Sequence, residues 1–307
     1  MSTALITHAD ALGHVTPEGH PERVARMEHA LHAIQDLPLE RVSAPEASDE
    51  ELTLCHPQRY VDRIRGAIPS SGTRQLDADT WLSPGSMYAA RRGAGGGLQA
   101  VDMVLKGEVK NAFVAMRPPG HHAELETPMG FCLFGNAAIA AKYALETHGL
   151  KRVAVVDFDV HHGNGTQNLL WDEARTLFVS SQQMPLWPGT GAATERGAHD
   201  NVLNLPLAPG SGSAEMRTAW EAAIRRIEAW APELLIISAG FDAHQDDPLA
   251  NLNWVTEDYR WITRELCAMA QRSNGGRVVS TLEGGYDLEA LSEGVRAHVE
   301  VLLEAGS

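Results

Sequence analysis

The sequence predicts an α/β protein, a single domain whose mostly parallel central sheet carries helices on both faces. Three observations point there. Short apolar runs bounded by Gly, Pro, Asn or Asp recur along the chain, the pattern of strands buried on both faces. Helical patterns alternate with these runs, as they do where helices connect parallel strands and cover the sheet. The 307 residues contain no internal repeat, low-complexity linker or shift in composition. One domain over residues 1–307 therefore accounts for the length better than two.

The elements follow in order. Residues 4–7 read as the first strand. A helix starts at Pro21, whose fixed φ suits a first turn, and runs to near Leu37. Residues 38–83 are the least regular part and are expected to wrap the surface, with one helix starting near Pro57. Residues 84–107 have a helical pattern despite Gly93, Gly95, Gly96 and Gly97. Four glycines cost helix propensity, so close packing against a neighbour is expected to compensate. Then come strands over 112–116, 153–158, 176–180, 202–205, 234–238 and 278–282. Helices over 136–148, 213–230, 256–272 and 288–303 lie among them.

Acids outnumber bases 40 to 25, a net charge of −15 that is spread along the chain. Such a protein repels nucleic acid and anionic membranes, so neither is expected as a direct partner. Cys55, Cys132 and Cys267 are an odd, widely spaced set. That argues against a disulfide scaffold and fits a reducing compartment. The first ten residues lack a basic stretch followed by an apolar run, and no stretch approaches the ~20 apolar residues of a membrane span. The expectation is a cytoplasmic protein.

Four segments rich in His, Asp, Gly and Tyr each follow a predicted strand. They are Arg117-Pro118-Pro119-Gly120-His121-His122, Asp157-Phe158-Asp159-Val160-His161-His162-Gly163-Asn164-Gly165, Ala239-Gly240-Phe241-Asp242-Ala243-His244 and Glu283-Gly284-Gly285-Tyr286. Ligands of open α/β sheets bind outside the carboxyl ends of the strands, so the four loops should converge on one crevice.

Asp159 and His161 sit two apart on an extended segment, which aims both side chains the same way and lets them grip one metal ion. Asp242 is the best candidate for a third ligand. Three protein ligands leave a position open for water, as in catalytic sites. Two carboxylates and one imidazole are oxygen-rich for zinc, and the chemistry leaves Mn, Fe or Co open. Taken alone, Asp-x-His reads more readily as helix-cap or turn acids, Asp157 and Asp159, with His161 a structural histidine; the convergence of loops favours the metal.

His121 and His122, on a loop bounded by Pro and Gly, suit general acid and base work near neutral pH. Each needs a partner that fixes its tautomer, and Asp157 and Asn164 in the adjacent loop are placed to supply one each. Tyr286 follows two glycines that allow a sharp turn, and its hydroxyl can donate to an oxyanion. Phe131 and Trp187 lie in Gly- and Pro-rich loops that suit a pocket wall, and Cys132 reads as a small buried residue.

At these residues the chain resembles the zinc-dependent histone deacetylase family, in the branch that holds bacterial deacetylases, acetylpolyamine amidohydrolases and the class II eukaryotic enzymes. The matching stretches are Gly19-His20-Pro21-Glu22-Arg23, residues 117–123, Gly130-Phe131-Cys132, residues 157–166, Pro188-Gly189-Thr190-Gly191, residues 238–242 and residues 283–286. They run in the family's order and cover nearly the whole chain. Asn164, where class I enzymes carry Asp, and the Glu-Gly-Gly-Tyr turn place the chain nearer class II.

The resemblance implies a set of roles. Asp159, His161 and Asp242 would hold one zinc. His122 would be the general base with Asn164 behind it. His121, backed by Asp157, would help protonate the leaving amine. Tyr286 would polarise the acyl carbonyl, and Gly130 would offer its carbonyl to the substrate N–H. Phe131 and Trp187 would flank a narrow tunnel. A structural potassium would sit against Asp157, Asp159, His161, Ser180 and Ser181, largely on backbone oxygens. The implied activity is removal of acetyl or other acyl groups from lysine ε-amines in peptides or proteins.

The same chemistry on acetylated polyamines is the alternative. Leu249 stands seven residues after Asp242, in a region where polyamine-selective eukaryotic relatives carry an acid, and so leans towards acyl-lysine. Asp77, Asp79 and Asp246 are other acids that could line the rim. An arginase-like enzyme with two Mn ions needs more carboxylates than the motifs assemble. The intact set of site residues speaks against a binding protein with a vestigial site. The sequence leaves the oligomeric state open, a homo-oligomer included.

Overall fold

The structure, a computed structural model, describes residues 2–307. Its strands are β1 (Thr3–Thr7), β2 (Glu40–Ser43), β3 (Arg74–Gln75), β4 (Trp81–Leu82), β5 (Asn111–Val114), β6 (Val153–Asp157), β7 (Thr176–Gln183), β8 (Val202–Leu207), β9 (Leu234–Ala239) and β10 (Val278–Leu282). Eight of them form one sheet in the order β2-β1-β5-β10-β9-β6-β7-β8. Every pairing in it is parallel. The short ribbon of β3 and β4 is antiparallel.

The apolar runs become the sheet's centre for a simple reason. All residues of β5, β10, β9 and β6 are buried. A strand covered on both faces has no solvent side and therefore no polar alternation. The helices are α1 (Val24–Ala33), α2 (Asp49–Leu52), α3 (Gln58–Ala67), α4 (Ser86–Leu105), α5 (Asn136–Glu146), α6 (Asn164–Leu170), α7 (Ser213–Trp230), α8 (Thr256–Asn274) and α9 (Leu288–Gly306). One layer packs α1 on α9, α9 on α8 and α8 on α7; in the second, α4 packs on α5 and α5 on α6.

The glycines of α4 explain themselves. A Cβ on Gly95 would lie 2.2 Å from the Pro45 carbonyl oxygen, and one on Gly96 2.9 Å from Val114 Cγ1. Gly93 and Gly97 face Asn136 and Ala140 of α5 at 3.1 and 3.4 Å. The helix lies against chain on several sides, as its glycine content led us to expect.

Two expectations need correction. Residues 38–83 do not merely wrap the surface. They add β2 to the sheet edge beside β1, and they bury Leu52, Tyr60, Val61 and Ile64 in the core. The first helix begins at Val24, because the chain bends at Pro21 and Glu22, is extended only at Arg23, and places His20 and Glu22 on the far loops. The helix α6 starts just beyond the Asp159–His161 loop, where the sequence led us to expect one.

Register sets up the site. Thr281 of β10 pairs with Val114 of β5 and with Ser238 of β9, and Ser238 pairs with Asp157 of β6. Four adjacent strands thus end level, and the loops that follow them emerge side by side.

Candidate active site

The loop after β6 is wound around carboxylates, two of its own and one from the loop after β9. Asp157 Oδ1 accepts the Asp159 N–H at 3.0 Å, Asp159 Oδ1 accepts the His161 N–H at 2.9 Å, and Asp242 Oδ1 accepts the Val160 N–H at 2.8 Å. One ligand atom from each of Asp159, His161 and Asp242 lies within 4.8 Å of the others, and all three residues are buried. His161 Nδ1 stands 3.0 Å from Asp242 Oδ2 and 3.3 Å from Asp159 Oδ1.

Carboxylates buried this close together call for a cation. Burial and the neighbouring Asp159 push the Asp242 carboxyl up to about 7. Burial works against charge on His161 as well, yet Asp159 and Asp242 outweigh it and hold that ring up at about 10. A Cβ on Gly240 would lie 2.1 Å from Asp159 Oδ2, and one on Gly284 2.3 Å from Asp242 Oδ2. Glycine alone lets the strand-end loops close on the carboxylates. This donor set fits one divalent cation with a position left open.

The two histidines after β5 stand beside the cluster with ring centroids 3.9 Å apart. His121 Nδ1 pairs with Asp157 Oδ2 at 2.9 Å, and His122 Nδ1 with Asn164 Oδ1 at 2.7 Å. Burial disfavours the imidazolium at both. At His121 the charges of Asp159 and Asp157 overcome it and raise the ring well above the ordinary histidine range. At His122 burial is joined by repulsion from His121 and His161, and the ring is pushed well below it. Neighbours driven in opposite directions form a proton donor and a proton acceptor.

Tyr286 reaches the same space from the turn after β10. Its N–H donates to Asp247 Oδ2 at 2.7 Å, and the Arg26 guanidinium lies 4.9 Å from the ring centre. Arg26 donates to the carbonyls of Gly285 and Glu283 at 2.6 and 2.5 Å, which fixes the turn. Burial holds the phenol well above its ordinary pKa, so it remains an O–H donor at neutral pH. The Glu283 carboxylate accepts the N–H groups of Gly120 and His121 at 2.7 and 3.2 Å and the Ser238 hydroxyl at 3.1 Å. Burial pushes it up to about 7.

The approach is narrow. His121, His122, His161 and Tyr286 are at most 8% exposed. Phe131 meets Tyr286 edge-on at 5.7 Å and His20 at 4.8 Å, while Trp187 stands edge-on to His122 at 4.7 Å. Gly130 sits between the walls at φ 55°, where a Cβ would fall 2.4 Å from His122 and 2.6 Å from Trp187. Asp79 and Thr80 accept the N–H groups of Gly130 and Phe131, both at 3.1 Å. Leu249, half-buried, donates its N–H to Asp247 Oδ1 at 3.0 Å and so shares an anchor with the Tyr286 turn.

Ser180 pairs in register with Asp157, and both are fully buried. Ser181 accepts the Trp220 indole N–H at 3.1 Å. His162 turns away from the cluster onto Thr190 and Gln167.

Several residues serve the site without a local sequence signal of their own. Glu22 is buried between Arg117 at 2.5 Å, Arg26 at 3.1 Å and His14 at 3.4 Å. This network ties the N-terminal loop to the loops after β5 and β10. Arg117 and Glu22 lie in the stretches that carried the family resemblance, but their partners are about a hundred residues apart. Asp247 and Glu124 had no signal at all. A separate recess of about 330 Å³ opens between α8 and α9 at the other end of the sheet, lined by Asn111, Cys267 and Val278 among others.

Residues 20–302 match the family of the histone deacetylase domain. Histone deacetylase 14, chloroplastic, of Arabidopsis thaliana is 37% identical over 95% of this chain and 75% of its own length. Polyamine deacetylase HDAC10 of Homo sapiens is 38% identical over 99% of this chain and 48% of its own. The crystal structure of the HDA15 HD domain superposes with a TM-score of 0.93 at 34% identity, covering 99% of this chain and 88% of that one. The protein is a hydrolase of amide bonds. It belongs to the histone deacetylase family.

Proposed function

We propose that this chain is one catalytic domain that removes acetyl or other short acyl groups from the ε-amine of lysine in peptides or proteins. The observation that carries the reading is one buried cleft that unites a divalent-cation donor set, two adjacent histidines pushed in opposite directions and a protonated tyrosine.

Asp159, His161 and Asp242 would hold zinc, which when bound acidifies water and polarises the amide carbonyl. Neutral His122 accepts a proton from the attacking water as its oxygen adds to the carbonyl carbon. Tyr286 donates to the carbonyl oxygen as negative charge develops there. His121, held by Asp157, gives a proton to the amine nitrogen as the C–N bond breaks. Lysine and a carboxylate leave. Gly130 presents its carbonyl to the substrate N–H, and Phe131 and Trp187 enclose the methylene stem and exclude water. Asp157, Ser180 and Ser181, with the backbone oxygens of Asp159 and His161, offer buried oxygen donors that suit a structural potassium.

Two features support lysine over polyamine: Leu249 carries no charge, and Trp187, 42% exposed, adds an apolar surface. The half-buried Asp79 carboxylate beside Gly130, and the name of the human relative, favour the polyamine reading. Among the described residues no helix is long and apolar enough to cross a membrane. The three cysteines are buried and free, which suits a reducing compartment such as the cytoplasm. Amine release should be compared for acetyl-lysine peptides, acetylputrescine and acetylspermidine, before and after chelation. A kcat/KM more than tenfold higher for a polyamine overturns the substrate assignment. Full activity after chelation overturns the metal.

A further inference from the structure

The Asn164 amide raises a question that a carboxylate in its place would not. An amide has a donor end and an acceptor end of nearly the same shape. If Oδ1 faces His122 Nδ1, that nitrogen carries the hydrogen and Nε2 keeps the free lone pair. If the amide turns over, its NH2 group donates to Nδ1, the hydrogen moves to Nε2, and the ring can no longer take a proton there. His122 cannot choose, because a neutral imidazole accepts either arrangement.

The choice is made one residue further out. Asn164 Nδ2 donates to Glu124 Oε1 at 2.8 Å, and Met129 Sδ accepts from the same nitrogen at 3.4 Å. A carboxylate only accepts, so it pairs with the NH2 end and repels the carbonyl end. Asn164 is 5% exposed, and Glu124 is partly buried beside it. The backbone holds the two in place. Thr166 N–H donates to the His121 carbonyl at 3.0 Å, and Leu125 N–H donates to Asn168 Oδ1 at 3.0 Å. The stretch from His121 to Leu125 is therefore pinned along the first turns of α6. A Cβ on Gly165 would lie 2.4 Å from the Ala123 carbonyl, so nothing larger fits between them.

We propose that Glu124 is a positioning residue: by accepting from Asn164 Nδ2 it fixes which way that amide points, and through it the tautomer of His122. The inference rests on the reading of His122 as the base. Glu124 touches neither substrate nor metal in this account, so its loss should lower kcat and leave KM nearly unchanged. A charge-assisted hydrogen bond biases an orientation by roughly tenfold to a hundredfold, and the loss in kcat should be of that order.

The test is a series at this position measured on the metal-loaded full chain. Glu124→Gln still offers an acceptor and should keep most of the activity. Glu124→Leu should lose about tenfold or more in kcat. Glu124→Lys, which presents a donor, should pull the Asn164 carbonyl outward and fall lowest. In an Asn164→Asp background either carboxylate oxygen accepts from His122, so Glu124→Leu should no longer cost activity there. The tautomer is read independently by ¹⁵N NMR of the histidine rings, with His122 assigned by its loss in His122→Gln. Nδ1 should carry the hydrogen in the parent and Nε2 in Glu124→Lys. Folding is checked by the thermal midpoint of each variant. A kcat within twofold of the parent for both Leu and Lys overturns the proposal. So does an equal loss in the Asn164→Asp background, or a His122 tautomer indifferent to position 124. An inactive parent with the expected NMR pattern would sink the amidohydrolase reading and leave the positioning role standing.

Discussion

Individual side chains here are tuned by what they touch, and substitution should show it. Tyr286→Phe keeps the ring against Phe131 and Arg26 but removes its hydroxyl. Losing one oxyanion donor typically costs about 10²–10³ in rate, so kcat should fall by that much with KM changed far less. An unchanged kcat would take Tyr286 out of the chemistry. Asp242→Asn replaces a charged ligand with a neutral one while the loop bond from Val160 survives through the amide oxygen. The variant should fold, unfold near the parent's midpoint without metal, and bind less than one metal per chain by elemental analysis. Metal retained at parent stoichiometry would reassign the ligands. Most of these residues were legible in the sequence because they follow strands, where both the turn chemistry and the residue types stand out. Asp247, Glu124 and the partners of Glu22 were not, because each acts on residues far away in the sequence. No local pattern encodes such a partner.

Among the elements, legibility followed burial. The central strands were found because double coverage turns them into unbroken apolar runs. The edge strand β2 was missed because its residues, Glu40-Arg41-Val42-Ser43, are polar and mostly exposed. The helix α4 was found in spite of its glycines, and those glycines give a sharp contrast with another. Gly95→Ala forces a Cβ into the Pro45 carbonyl and should destabilise the fold by about 1–3 kcal/mol, as overpacking does. Gly66, in the exposed last turn of α3, has nothing within 4 Å of a built Cβ. Gly66→Ala should stabilise by about 0.5–1 kcal/mol, since alanine loses less backbone entropy in a helix. Urea unfolding of the two variants decides the matter. Equal effects of one sign would mean that close approach is not why α4 carries glycine.

At the scale of the whole molecule, buried neutral histidines link the fold to pH. His298 of α9 donates from Nδ1 to Thr263 Oγ1 at 2.7 Å, because that hydroxyl already spends its hydrogen on the Tyr259 carbonyl. Its Nε2 accepts from Ser280 of β10 at 2.8 Å. The neutral ring is fully satisfied, and burial lowers its pKa to about 3. With the folded value below the unfolded one, the stabilising contribution is present above about 6.5 and is lost as pH falls from there towards 3. The parent should lose up to about 1.4 kcal/mol per pH unit in this window relative to His298→Asn, measured by urea unfolding. Parallel curves would mean that the ring is protonated in the fold. The strand that carries Ser280 has a wider consequence. It is the last strand in the chain, yet it lies near the middle of the sheet, between β5 and β9. Until residues 278–282 insert, those two strands have no shared edge and their loops have no common floor. A chain emerging from the ribosome therefore carries Asp159, His161 and Asp242 before it carries a closed cleft. Tyr286 follows directly on that strand, so the cleft closes only once residues 278–286 are in place.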